Sequence, residues 1–374
     1  MRVLFWNHMY LPDLGGLETF TSRLAHELCT RGHEVMVATT WNDPSLPQRQ
    51  IVDGIRVARL PFHKAMRGDD PLTTMRTLKA AAALKAEFRP DVIHVHFADP
   101  NVFFHLRTRA AYDAPMVVTF HIPFSDGRTA RGGVVDEMVG AARALIAVST
   151  ANARAVAIGV GVPVNAIEVL CPGVPDVEWV PPAQPRPCSG PFVFVGRLVR
   201  DKGCDIAVEA LAGVRAAGWP ASLRIVGAGP ETPHLQALIE ARGLRPSVEL
   251  AGGVEPRAVP GLMAEACAVL IPSRYAEPFG MVAVEAALMC RPVIAAATGG
   301  LQEIVVHERT GYLVPVDDPA ALSAHMIRVL ADPAAAAAMG NAGRARALSR
   351  YSLHAVADRY LGIYSAATQR ELDG

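Results

Sequence analysis

Two α/β domains, each wound on a parallel sheet and facing one another across a cleft, are what this 374-residue sequence predicts. Its length exceeds a typical single domain. Short apolar runs alternate with helical-period segments in two successive series, the pattern of βα units and parallel sheets. A proline-dense stretch near the middle separates the series.

The first series opens with an apolar strand at Val3–Trp6, followed by a polar loop containing Gly15 and Gly16. Leu17, Phe20, Leu24 and Leu28 recur at helical spacing, and Gly32 stands where a helix C-cap belongs. Buried-type strands follow at Val35–Thr39, Asp91–Phe97, Met116–His121 and Ala144–Ser149, with Ser149 or Thr150 placed to cap the next helix. Between Pro172 and Pro191, repeated prolines remove backbone donors and fix φ, which forbids a helix or a central strand. A second series then places strands at Phe192–Arg197, Ser222–Gly229, Val269–Ser273, Pro292–Ala296 and Tyr312–Val316. An amphipathic helix at about Leu353–Gln369 ends the chain. The expected domains are therefore 1–175, a linker 176–191, 192–352, and a terminal segment 353–374.

Composition narrows the function. Hydrophobic residues at 51% and charged residues at 19% supply two sizeable cores and exclude wholesale disorder. A net charge of zero argues against a nucleic-acid binder, which needs a basic stripe to displace counterions. Only Lys64, Lys79, Lys85 and Lys202 are lysine among 36 basic residues. That bias, with abundant Ala, Val and Gly, suggests a GC-rich bacterial genome and makes Lys202 conspicuous. Six cysteines without a C-x-x-C pair point to reduced thiols. The N-terminus lacks a signal peptide's apolar core, and no run is long enough to span a membrane, so a cytoplasmic location is expected.

The strongest chemical signal is EPFGMVAVE, Glu277 to Glu285, followed by Thr298-Gly299-Gly300 and Glu303. Pro278 and Gly280 suit a turn entering a helix, with Glu277 ahead of its first turn and Glu285 on it. Eight helical rises separate the two acids by about 12 Å. That spacing suits two ends of one extended ligand, such as sugar hydroxyls and a ribose diol, better than two carboxyls sharing a proton. Gly299 and Gly300 precede a second helix start, where exposed amides and the helix dipole favour a diphosphate. Arg197 and Lys202 follow the first strand of the second series, placed to neutralise charge on a departing diphosphate. Gly15 and Gly16 stand equivalently in the first series and let backbone approach phosphates.

These residues resemble the retaining glycosyltransferases of family 4, which have the GT-B fold of two Rossmann-like domains, and the resemblance runs nearly the length of the chain. It implies that Glu277 contacts the donor sugar and Glu285 the ribose. Arg197 and Lys202 would hold the diphosphate, helped by amides around Gly299, Gly300 and Leu301; Phe279 and Gly280 lie within the same donor motif. His121 matches a cleft histidine near the transferred sugar, and Arg197, Lys202, Glu277 and His121 are the expected catalytic residues. The final helix would brace the first domain. The implied reaction moves a hexose or N-acetylhexosamine from a nucleotide diphosphate sugar to an acceptor hydroxyl, with retention and without a metal or other cofactor. UDP is the commonest carrier, ahead of GDP. The absence of a D-x-D motif agrees with a metal-free site.

Other readings weigh against these. GT-B 2-epimerases and non-catalytic sugar-nucleotide binders share the architecture. Gly227–Pro230 lacks the third glycine of a dinucleotide fingerprint and reads as a plain βα loop. His94 and His96 share a strand face and could in principle ligate a metal, but core histidines are commoner. The basic, apolar stretch Lys64–Arg89 reads as a solvated helix before a membrane-surface one, so peripheral membrane contact is not favoured.

Overall fold

A computed structural model describes residues 1–13, 15–67, 70–96, 101–123, 133–182 and 190–369. Expected features at Phe97, Cys188, residues 183–189 of the linker and residues 370–374 lie outside these. The chain folds as two compact units, Met1–Gly173 with Leu353–Gly374, and Val174–Ser352.

Among the described residues the first unit carries eight strands: β1 (Arg2–Asn7), β2 (Glu34–Thr40), β3 (Arg49–Val52), β4 (Ile55–Leu60), β5 (Val92–His96), β6 (Met116–Phe120), β7 (Ala142–Ala147) and β8 (Ile167–Val169). Their order is β3-β4-β2-β1-β5-β6-β7-β8, parallel except for the β3–β4 pair. Both faces of the central strands are buried, which is why those strands read as continuous apolar runs. Val3 and Phe5 pack with Phe20, Leu24 and Leu28 of helix Gly16–Thr30 on one face. Leu4 and Trp6 enter the core of the other. The helix Leu353–Gln369 joins the first of these cores through Val356, Tyr360 and Tyr364.

The second unit holds β9 (Phe192–Val195), β10 (Leu223–Val226), β11 (Val248–Gly252), β12 (Val269–Ile271), β13 (Val293–Ala296) and β14 (Gly311–Val314). All pair parallel in the order β11-β10-β9-β12-β13-β14. Order reverses where β9 meets both β10 and β12, and loops leaving neighbouring strands in opposite directions open a crevice at their carboxyl ends.

Three elements were not anticipated from sequence: the β3–β4 hairpin, β8 and β11. The unit boundary also falls at Gly173/Val174 rather than after residue 175. Residues expected to form the start of the linker belong to the second unit, because Trp179 is only 3% exposed and its carbonyl accepts from Arg344 at 3.0 Å. Burying an indole outweighs the proline-rich composition around it. Among the described residues, Cys29, Cys171, Cys204, Cys267 and Cys290 take part in no disulfide.

Candidate functional site

Loops after β9, β12 and β13, three adjacent strands, bring the second unit's expected residues together. After β9 the chain passes exposed Arg197 and enters a single 3₁₀ turn, Arg200–Lys202. Gly203 ends that turn at φ +67°, and a Cβ there would collide with the carbonyl oxygen of Pro272. Only glycine allows this approach, which sets Lys202 beside the loop after β12.

Glu277 lies on that loop and is 7% exposed. Its Oε1 accepts from Lys202 Nζ at 2.7 Å and from Ser273 Oγ at 2.7 Å; its Oε2 accepts from Tyr275 Oη at 2.7 Å. Lys202 Nζ also donates to Tyr275 Oη at 3.1 Å and lies 4.9 Å from the centre of the Tyr275 ring. Three donors satisfy a carboxylate that would otherwise be costly to bury. Burial pushes the Tyr275 phenol up, and neighbouring Glu277 adds to this while Arg197 opposes it.

Arg274 fastens this loop to the Lys202 turn. It donates to both Asp205 oxygens at 2.7 Å, to Asp317 at 2.6 Å and to Arg200 O at 2.9 Å, while its amide donates to Asp201 O at 2.8 Å. Burial works against charge on Asp205, yet the paired guanidinium holds its carboxyl below the usual range.

After Glu277, Phe279 is buried and its ring meets Tyr351 edge-on at 5.5 Å. Gly280 precedes the helix Met281–Leu288, which carries half-buried Glu285. Gly299 adopts φ +51°, and a Cβ on it would strike the backbone of Glu277. The Gly-Gly pair is thus required for loop-on-loop packing. One expectation needs correction here. The Gly300 amide does not point outward for a phosphate but donates to Glu277 O at 2.7 Å. The following helix is a single turn, Leu301–Ile304, with Leu301 fully buried. Within this turn Glu303 N and Ile304 N donate to Gly300 O at 3.0 and 3.3 Å, so the amides left to meet an anion are those of Leu301 and Gln302.

The remaining expected residues belong to the first unit. Gly15 caps helix Gly16–Thr30 in an extended conformation without a side-chain cap. His121 follows β6 and is buried; its Nε2 lies 3.2 Å from His96 Nδ1. His94 stacks on His96 at 3.8 Å between ring centres, bonded to Tyr364 Oη at 2.6 Å and Thr119 Oγ1 at 2.7 Å. Burial lowers the basicity of all three, to a pKa of about 3 for His121. The described residues contain no group of three His, Cys, Asp or Glu side chains placed to hold a metal ion. The Gly227–Pro230 segment lies against the Arg197 loop, with Leu198 N donating to Ala228 O at 2.9 Å.

Sequence reasoning missed Ser273, Arg274 and Tyr275. The only available signal was their place immediately before Glu277 at the end of a strand, where functional side chains gather.

Known proteins resemble the chain along its length. Residues 189–346 match the model for glycosyl transferases group 1, and residues 14–178 match that for Glycosyltransferase Family 4. Glycogen synthase from Mycobacterium tuberculosis is 30% identical, over 99% of this chain and 96% of its own length. D-inositol 3-phosphate glycosyltransferase from Xylanimonas cellulosilytica is 30% identical, over 96% and 93%. Among solved structures, sucrose-phosphate synthase from Thermosynechococcus elongatus aligns with a TM-score of 0.80 at 24% identity, over 98% of this chain and 99% of its own. HepE from Anabaena in complex with UDP-glucose aligns with a TM-score of 0.80 at 22% identity, over 98% and 100%. Both carry the GT-B fold, and at these identities fold is what the likeness establishes.

Proposed function

This chain is a family 4 glycosyltransferase with the GT-B fold, and from that premise we propose that it transfers a hexose or N-acetylhexosamine from a UDP-sugar to an acceptor hydroxyl, with retention and without a metal. The observation that carries the reading is the Lys202–Glu277–Tyr275 cluster at the β9/β12 crevice. A carboxylate offers roughly four lone-pair positions, and three are filled here, leaving one on Oε2 for a sugar hydroxyl. Lys202 and Arg197 supply positive charge where a diphosphate would depart, and a fixed cation stabilises that charge most as it develops. Glu285 is assigned to the ribose and His121 to the transferred sugar on the strength of the resemblance. The structure of HepE contains UDP-glucose, which supports the choice of carrier.

The test is a thermal-shift panel of UDP-, GDP- and dTDP-sugars, followed by anomeric analysis of the product. A UDP-sugar at about a hundred times its Kd adds roughly 2.7 kcal/mol to the folded state, a shift of several degrees. A response to GDP-sugars alone overturns the carrier, and an inverted anomer overturns retention. Turnover abolished by EDTA and restored by Mn²⁺ overturns the metal-free assignment. Release of an epimerised donor without any acceptor would sink transfer itself.

A further inference from the structure

The helix Pro71–Phe88 buries Thr77, Ala81, Leu84, Lys85 and Phe88 on one side. Its opposite side shows Leu72 at 52% and Met75 at 67% exposure, with Arg76 and Lys79 exposed alongside them. The preceding short helix, Phe62–Met66, adds Met66 at 40%, flanked by exposed Lys64 and Arg67. Of the twelve large hydrophobic side chains exposed among the described residues, three therefore fall within ten positions of one another. Single exposed apolar side chains are ordinary, whereas a cluster on one face is not.

The charges of this face are equally uneven. Elsewhere in the first unit several exposed arginines meet acids, Arg49 with Glu87 at 2.8 Å, Arg56 with Glu34 at 3.0 Å and Arg107 with Glu137 at 2.6 Å, while Arg143 and Arg154 form no ion pair among the described residues. Lys64, Arg67, Arg76 and Lys79 form no ion pair among the described residues. Asp70, a nearby described acid, caps the helix at Leu72 N and offsets part of the charge of Lys64, and Glu87 is taken by Arg49. In a chain of zero net charge, the result is a local excess of unpaired cations around long aliphatic and thioether tips. No aromatic side chain anchors the face as one would at a protein hot spot.

We propose that this face of the first unit docks on an anionic lipid surface, with Leu72, Met75 and Met66 entering the headgroup layer and the four cations meeting lipid phosphates. Either signal alone gives weak, reversible attachment, and the pairing of apolar insertion with basic charge is what makes interfacial binding stable. The proposal stands apart from the choice of sugar donor.

Co-sedimentation of the full chain with vesicles tests it. Binding is expected to vesicles of mixed phosphatidylcholine and phosphatidylglycerol, and not to phosphatidylcholine alone. Raising salt from about 0.1 M to about 1 M shortens the Debye length from about 10 Å to about 3 Å and should release most of the bound protein. Arg76→Ser with Lys79→Ser should weaken binding about thirty-fold, and Leu72→Ser with Met75→Ser should weaken it independently. Each variant's folding is checked by its unfolding temperature and by donor-induced thermal shift. Absence of vesicle binding, equal binding to neutral vesicles, or folded variants that bind like the parent would overturn the proposal; the first of these would leave a solvated helix or an acidic protein partner.

Discussion

Three imidazoles of the first unit lie buried near the carboxyl ends of β5 and β6, held by hydroxyls and by one another, with no carboxylate among their described hydrogen-bond partners. In the second unit a carboxylate of similar burial gathers an ammonium, a phenol and an alcohol. Each arrangement solves the cost of burying polar atoms, one by neutrality and the other by pairing. The difference marks where charge is available. A neutral imidazole offers shape and a hydrogen bond, whereas an ammonium near a rim offers charge that a phosphate can claim. The terminal helix serves the first arrangement directly, because Tyr364 supplies a partner of His94 across 270 residues.

Acid should separate the units most strongly. His94, His96 and His121 have folded values below the ordinary imidazole value, so the unfolded chain binds more protons below pH ~6.5. Their stabilising effect is complete above that pH and is lost as pH falls, by about 1.4 kcal/mol per pH unit for each histidine, up to about 4 for the three. Among the described residues the second unit buries no histidine. Urea unfolding at pH 7.5 and 5.0, followed by hydrogen exchange of peptides from each unit, should show the first unit's midpoint falling further. Equal losses in both units would remove the distinction.

Catalysis should separate them the other way. Lys202→Ala is expected to lower kcat by about 10²–10³, with a smaller change in donor Kd, because charge on the leaving group grows in the transition state. His121→Ala removes only a neutral hydrogen bond and should cost about tenfold or less. Single-turnover kinetics with calorimetric donor affinities checks both. A Lys202 variant losing affinity and turnover equally would mean that this cation serves ground-state binding alone.

Much of this was legible beforehand, and the gaps have physical causes. Continuous apolar runs such as Val3–Trp6 announce strands buried on both faces, and Gly203 and Gly299 occupy motif positions that only a residue without Cβ can fill. The β3–β4 hairpin carried a readable Asp53-Gly54 turn, both residues at positive φ, but its strands are short and Ile51 on the edge is 72% exposed, which blurs apolar periodicity. The Gly300 amide was misjudged because a loop closing on its neighbour uses donors that sequence alone leaves pointing nowhere. Arg274 and Tyr275 act through partners 69 and 73 positions away, Asp205 and Lys202, and such pairings appear only once the strands are ordered.

Tyr275 gives the finest division of the second arrangement. Tyr275→Phe keeps the ring beneath the Lys202 ammonium but deletes the hydroxyl that donates to Glu277 Oε2 and accepts from Lys202. One hydrogen bond to a charged group is worth about 1.5 kcal/mol or slightly more, so turnover should fall by about tenfold. Tyr275→Ala should add a further loss of about 0.5–1 kcal/mol from the ring itself. If the hydroxyl acts by aiming the carboxylate, a double-mutant cycle with Glu277→Gln should show strong coupling, the second substitution costing little once the first is present. Additive losses would mean that Tyr275 and Glu277 meet the substrate separately, and the second unit's cluster would then be two sites side by side.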